Sequence, residues 1–283
     1  RPGRRRRAVT STPRSARQRG FTLAELAIVF VIVALLIGGT VLTLAAQTEA
    51  REITDTQRTL DQAREAIIGF ALRNGRLPCP APLGVNGVES FCTGDDSGAC
   101  GAPILAPPNL APAHGRCSNP NGFVPAAALG IGPIETNPAS PNFGLLLDTW
   151  LQPIGYAVSQ VNAPAPSAAN RELFTAAGEM RNHLLTAPPV VPDLLVCTTS
   201  AGAVTGVPPA LPTCAGPSFQ TPAVVRSTGK SPVASAGDET ENVNNDRIFV
   251  SRPPSPAPAA FDDLVIWVSP NILYNRLISA GAL

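Results

Sequence analysis

Twenty-one consecutive residues, Leu26 to Ala46, carry no charge and are mostly aliphatic. At about 1.5 Å of rise per residue, such a run makes a helix of roughly 30 Å, one hydrocarbon thickness. A cleavable secretory signal has a shorter apolar core followed by a small-x-small site. AAQTEA at 45–50 imitates that site, but the run before it is too long. The segment therefore reads as a retained membrane anchor, and any fold must place the rest of the chain at one end of it.

The charge pattern orients the anchor. Residues 1–20 hold eight arginines and no acid, so a chain of net charge +1 carries −7 from Phe21 onward. Arginine beside a span favours the cytoplasmic side, which leaves the amino terminus inside and exports the body. A nucleic-acid binder carries its basic charge on the folded domain. Here that domain is acidic, so no nucleic-acid partner is expected.

The helical pattern outlasts the span. From Gln47 there is no proline or glycine until Gly69, and Ile53, Leu60, Ala63, Ile67 and Phe70 recur at spacings of three, four and seven. They form one stripe of an amphipathic helix. RNG at 73–75 supplies a last-turn arginine and a glycine suited to a left-handed cap, and Pro78 and Pro80 bar continuation. The prediction is one helix over 21–74, with 26–46 spanning the membrane and 47–74 amphipathic.

Gly20, Phe21, Thr22, Leu23, a spacer and Glu25, with basic residues before and an apolar helix after, resemble the amino-terminal signature of type IV pilins and type II secretion pseudopilins. The resemblance implies that prepilin peptidase, a membrane aspartyl enzyme, removes the basic leader 1–20 by cutting between Gly20 and Phe21, and that the new amino group is methylated. It places Thr22 in the assembly signature. It also gives Glu25 a role: its carboxylate would pair with the amino-terminal ammonium of a neighbouring subunit. An acid inside hydrocarbon costs about 2.5–3.5 kcal/mol on insertion scales, so such groups have partners or functions; the bland alternative is a glutamate solvated at the headgroup boundary. Gly38 and Gly39 mark either the helix loosening common in that family or close packing through small residues.

Beyond the helix, 29 of the 31 prolines fall between Pro78 and Pro270, which predicts a loop-rich body with short strands. Candidate strands are PIGYAVS (153–159), DLLVC (193–197), PAVVRS (222–227), RIFVS (247–251) and DLVIWVS (263–269). The expected fold is α+β: the long helix packed on a small antiparallel sheet, with long Pro/Gly-rich loops stapled by disulfides. SPNILYNRLISAG at 269–281 predicts a closing helix at about 270–280, with Ser269 as N-cap, Pro270 in its first turn and Gly281 as its stop. The exported domain thus covers 75–283. DTWLQPIGYAV at 148–158 is similar to a stretch of pseudopilins in which a glycine stands where Leu151 or Gln152 stands here. GRLPCPAP (75–82), STGKSP (227–232) and FDDLVIWVSPNILYNRL (261–277) look like segments of poorly characterised prepilin-type proteins.

All six cysteines, Cys79, Cys92, Cys100, Cys117, Cys197 and Cys214, lie on the exported side. An oxidising compartment suggests three disulfides among fifteen possible pairings. Short loops favour Cys92–Cys100 and Cys197–Cys214, leaving Cys79–Cys117. No spacing is a Cys-x-x-Cys motif, and there is no Gly-x-Ser-x-Gly, P-loop or dinucleotide-binding glycine motif. His114 and His183 are the only histidines. No catalytic residue, cofactor or enzyme activity is expected. GDETENVNND at 237–246 gathers Asp238, Glu239, Glu241, Asn242, Asn245 and Asp246, oxygen ligands that suit calcium, against the commoner outcome of a solvated acidic turn. GDDSGACG at 94–101 is a weaker case.

These readings converge on a minor pilin or pseudopilin, since mature major pilins are usually much shorter than the 263 residues after Gly20. Its partners would be prepilin peptidase, other pilin or pseudopilin subunits and inner-membrane lipid. It would start as a single-pass protein of the bacterial inner membrane with a periplasmic body, then enter a periplasmic or cell-surface filament. A filament-tip adhesin on the same anchor, and an unrelated anchored protein with a fortuitous leader, are the rival readings.

Overall fold

The computed structural model describes residues 22–94, 100–101, 103–105, 110–164, 167, 170–183, 190–206, 210–231, 237–256 and 260–282, with the backbone alone at 38–46. It divides into two compact units, Arg1–Ala50 and Arg51–Leu283. In chain order the elements are α1 (Leu23–Asn74), β1 (Ser90–Phe91), β2 (Ile104–Leu105), β3 (Asn121–Phe123), α2 (Ala126–Leu129), β4 (Gly155–Val158), α3 (Glu179–Asn182), β5 (Leu194–Cys197), β6 (Ser218–Thr221), β7 (Ala223–Ser227), α4 (Asp238–Val243), β8 (Ile248–Val250), β9 (Leu264–Val268) and α5 (Pro270–Ser279).

α1 stops at its cap signal. Asn74 Nδ2 donates to Phe70 O at 2.9 Å, Gly75 adopts φ +65°, and its N–H reaches Ala71 O at 2.8 Å. A side chain would resist that left-handed turn. Along the predicted stripe Leu60, Ala63, Ile67 and Phe70 are buried and Ile53 packs on the same core. Each large side chain so buried contributes about 1.5–3 kcal/mol.

Strand alternation then assigns each side chain to a layer, because successive residues face opposite sides of a sheet. β3, β4, β7 and β9 form a four-stranded sheet, in that order and antiparallel throughout. Tyr156, Val158, Ala223, Val225, Leu264 and Val268 face one core with the buried stripe of α1 and with Leu273 and Leu277 of α5. The alternate residues Ala157, Val224 and Val265 face a second core.

That second core is shared with another sheet, in the order β6-β5-β8, through Leu194, Val196 and Phe249. The single antiparallel sheet expected from the sequence is therefore corrected. Among the described residues there are two larger sheets, besides the two-stranded ribbon of β1 and β2, and β5 pairs parallel with β8. The reason lies in burial: Leu195, Cys197 and Ile248 enter a third cluster on the far face, so DLLVC and RIFVS are covered on both sides and read as continuous apolar runs.

Asn242 of α4 closes the free edge of β8. Its Nδ2 donates to Val250 O at 3.0 Å and its Oδ1 accepts Val250 N–H at 2.7 Å. One side chain thus stands in for a neighbouring strand.

Past the α1 cap, Arg76 is 1% exposed. Its Nη1 and Nη2 donate to Glu89 Oε1 and Oε2 at 2.7 and 2.9 Å, and its guanidinium lies 5.0 Å from the Phe70 ring and 5.3 Å from that of Phe91. Glu89 Oε1 also accepts Cys79 N–H at 2.7 Å. The cysteines pair as Cys79–Cys117, Cys92–Cys100 and Cys197–Cys214. Each bridge removes freedom from the unfolded chain, typically worth about 2–4 kcal/mol, where loops supply little core.

Candidate assembly and processing site

The start of α1 is built by two side chains. Thr22 stands at the N-cap, and Glu25 is the third helical residue. Glu25 Oε2 accepts Thr22 N–H and Thr22 Oγ1–H, each at 2.9 Å, and Glu25 N–H donates to Thr22 Oγ1 at 3.2 Å. This reciprocal pair is a capping box, and it satisfies two backbone donors that a helix start leaves open. The carboxylate also meets the positive end of the helix dipole. The Thr-x-x-Glu spacing that signals such a box stands in the sequence at 22–25. Among the described residues Glu25 Oε1 takes no hydrogen bond. Gly20 and Phe21, the expected processing pair, lie outside the described residues, as does the basic leader.

Every side chain described from Thr22 to Ile37 is exposed, including Leu26, Ile28, Phe30 and Leu35. Among the described residues no helix is long and apolar enough to cross a membrane. The side chains at 38–46, which complete the uncharged run, lie outside the described residues.

The body grips α1 through the turn at 148–152. Asp148 Oδ1 accepts Trp150 N–H at 2.9 Å and Gln152 N–H at 2.8 Å, and its Oδ2 accepts Ser227 Oγ–H at 2.6 Å. Burial lifts this carboxyl above its ordinary range, and the three hydrogen bonds oppose the shift. Trp150 Nε1 then donates to Glu52 Oε2 at 3.0 Å, and Thr149 Oγ1 to Glu52 O at 3.0 Å. The sequence stretches DTWLQP and STGKSP thus meet at Asp148 and Ser227.

The acidic stretch at 237–246 does not converge on one point. Asp238 Oδ1 accepts Ser200 N–H at 2.7 Å and its Oδ2 accepts Arg252 Nε–H at 2.7 Å. Asn242 serves β8, and Asp246 Oδ1 accepts Ile248 N–H at 2.7 Å. Glu239 turns to acids outside the stretch. Single ligand atoms of Glu239, Asp262 and Asp263 lie within 4.8 Å of one another, a spacing open to an oxygen-bound cation. Crowding shows in Asp263, whose carboxyl is pushed up to about 7, first by burial and then by Glu239 and Asp262. Of the weaker candidate at 94–101, residues 95–99 lie outside the described residues.

Ser167, Glu179 and His183 come together, which sequence did not foretell. Ser167 Oγ lies 2.7 Å from His183 Nε2 and also bonds Glu179 Oε2, whose other oxygen accepts Arg171 Nη1–H at 2.5 Å. In a nucleophilic triad the acid holds the imidazole nitrogen remote from the serine. Here Glu179 sits on the serine side, at 3.4 Å from the same Nε2, an arrangement that braces the loop onto α3. His114 is elsewhere, with Nδ1 accepting Arg116 N–H at 2.9 Å.

Residues 15–41 match the family model of the prokaryotic N-terminal methylation motif, the signature of type IV pilins and pseudopilins. No curated protein and no solved structure matches the chain.

Proposed function

We propose that this carrier of the methylation motif is a minor pilin or pseudopilin, a structural subunit of a type IV pilus or of a type II secretion pseudopilus. The observation that carries the reading is the motif itself: Gly20-Phe21-Thr22 and Glu25 at the head of an uncharged run, inside the matched residues 15–41. The signature implies processing by prepilin peptidase and assembly with other pilin subunits.

The chain sits in the inner membrane through 26–46, amino terminus in the cytoplasm and body in the periplasm, until it enters a filament. Peptidase cuts after Gly20, which removes the arginines that hold the helix to the cytoplasmic face and frees the Phe21 amino group for methylation. The apolar helices then bundle, and Glu25 meets the ammonium of a neighbour. The disulfide-stapled body remains outside the bundle. Packing is the whole mechanism; the chain performs no chemistry and needs no cofactor.

Co-expression with a prepilin peptidase tests this. The wild-type chain should shorten at Gly20 and gain the mass of a methyl group, and Gly20→Ala should stay full length. An unchanged wild-type mass would refute the reading and leave the arginine leader as coincidence.

A further inference from the structure

A cleft of about 250 Å³ is lined from both larger sheets, where the end of β4 meets the starts of β3 and β5 and the residues just before β8. Most of its polar atoms are engaged inside the molecule. Asn121 Oδ1 accepts Arg226 Nη1–H at 2.6 Å, and Gln160 Oε1 accepts Cys117 N–H at 2.8 Å. Both Asp246 oxygens are occupied, by Ile248 N–H at 2.7 Å and by Thr205 Oγ1–H at 2.8 Å. Asp193 differs. It is 9% exposed, and its Oδ1 is buried with no hydrogen-bond partner among the described residues. Its Oδ2 faces Arg247 Nη1 at 3.5 Å, beyond the usual range of a hydrogen bond. Arg247 is kept from closing that gap, because its Nη2 is tied to Thr205 O at 2.7 Å and to Gly206 O at 2.9 Å.

Buried polar atoms nearly always have partners, and a carboxylate left short of donors costs stability. A second carboxylate adds to the deficit. Glu172 is 5% exposed, and its Oε2 is also buried without a partner. Burial and then the Asp193 charge push its carboxyl up to about 7, against Arg116. The cleft therefore calls for a cation that donates hydrogen bonds. A bare divalent ion needs six or more oxygens, and the other carboxylate at the cleft, Asp246, is already engaged. The lining of Pro120, Val158 and Leu194 instead suits an alkyl stem. We propose that Asp193 anchors a site for a primary ammonium group on a short alkyl chain, with the stem lying against those three residues. The Asp side chain turns readily about its last torsion, so either oxygen can face the cleft. A free alkylamine and the lysine side chain of a partner protein both carry this group. Such binding is independent of assembly through α1.

Calorimetric titration of the full chain in nonionic detergent and amine-free buffer, at a pH above the Glu172 value, provides the test. The probes are cadaverine and acetyl-lysine methylamide, each beside a neutral counterpart: the diol of the same length and acetyl-norleucine methylamide. At least one ammonium compound should bind saturably, about tenfold or more tighter than its counterpart. Binding of cadaverine alone marks a free amine as the ligand, and binding of the lysine compound marks a protein side chain. Asp193→Asn keeps the shape, removes the charge and should weaken binding about tenfold or more. If neither ammonium compound binds, if the neutral counterparts bind as well, or if Asp193→Asn binds like the wild type, the proposal is overturned. Should Asp193→Asn fail to fold, the wild-type comparison of ammonium with neutral compound decides by itself.

Discussion

Asp263→Asn should flatten the loss of stability with rising pH. Asp263 is 4% exposed and shares its site with the carboxylates of Glu239 and Asp262. Burial and those charges push its carboxyl up to about 7, against help from Asn242 and Arg226. Because the folded state holds this proton more tightly than the unfolded chain, the group costs nothing below about pH 4. Between about pH 4 and 7 only the unfolded chain ionises, and stability falls by about 1.4 kcal/mol per pH unit. Above 7 the penalty is complete at about 4 kcal/mol, of which about 3 kcal/mol accrues between pH 5 and 8. Glu172, also pushed up to about 7 by burial and then by Asp193, acts in the same direction, so a slope should persist in the variant. The introduced amide would keep an oxygen for Asn242 Nδ2, which donates to Asp263 Oδ2 at 2.8 Å. Urea unfolding of the full chain in detergent, with disulfides intact and followed by circular dichroism at pH 5 and 8, measures the difference. A variant whose slope equals that of the wild type would show that Asp263 ionises normally in the folded body.

Two further substitutions probe other parts of the molecule. Arg76→Ala should cost about 3–5 kcal/mol in the same unfolding assay, because it strands the buried Glu89 carboxylate and empties the space between the Phe70 and Phe91 rings; a loss below about 1 kcal/mol would mean that Glu89 is relieved another way. Glu25→Gln keeps the box with Thr22, since glutamine serves at that position, and removes only the charge, whereas Glu25→Ala removes both. Equal failure of the two variants in filament incorporation is expected, and wild-type incorporation of Glu25→Gln would transfer the role from the charge to the cap.

Much of this architecture is legible in the sequence wherever apolar periodicity reaches several residues. The amphipathic stripe of α1, its glycine stop and the strands β4, β5, β7, β8 and β9 all follow from spacing and turn chemistry. α5 also follows, although Ser269 occupies the N-cap position without a side-chain capping bond. What escaped is short or nonlocal. SFQT and NGF, which form β6 and β3, are too brief and polar to show alternation. DETENV reads as a solvated acidic loop, yet it forms α4 because Glu239 and Asn242 turn inward. The parallel pairing of β5 with β8 joins residues about fifty apart in sequence, and the Arg76–Glu89 pair spans thirteen; no local pattern announces either. At the candidate site the resemblance points to Glu25 as a charge, while its capping of Thr22 is carried in the sequence by the Thr-x-x-Glu spacing and appears in the geometry as the reciprocal pair.

In the proposed assembly the capping role of Glu25 and its charge would act together. A helix that leaves lipid for a bundle of like helices exchanges one apolar surface for another, so burial of Leu26 through Ile37 barely separates the two states. Hydrophobicity keeps this stretch out of water but sets no register. A carboxylate among lipid tails costs about 2.5–3.5 kcal/mol, and Thr22 engages only one of its oxygens. In the proposed filament the remaining penalty would be relieved by a cation at that level of the helix, so relief would come at one axial offset between subunits and be lost at others. Capping helps further, because ordering a free glutamate side chain costs up to about 1.5–2 kcal/mol, and the bonds to Thr22 have already ordered this one. Pairing across subunits then loses little entropy. In the proposed assembly the intramolecular box would prepare the intermolecular contact, and threonine at position 22 would contribute to register without touching the neighbour.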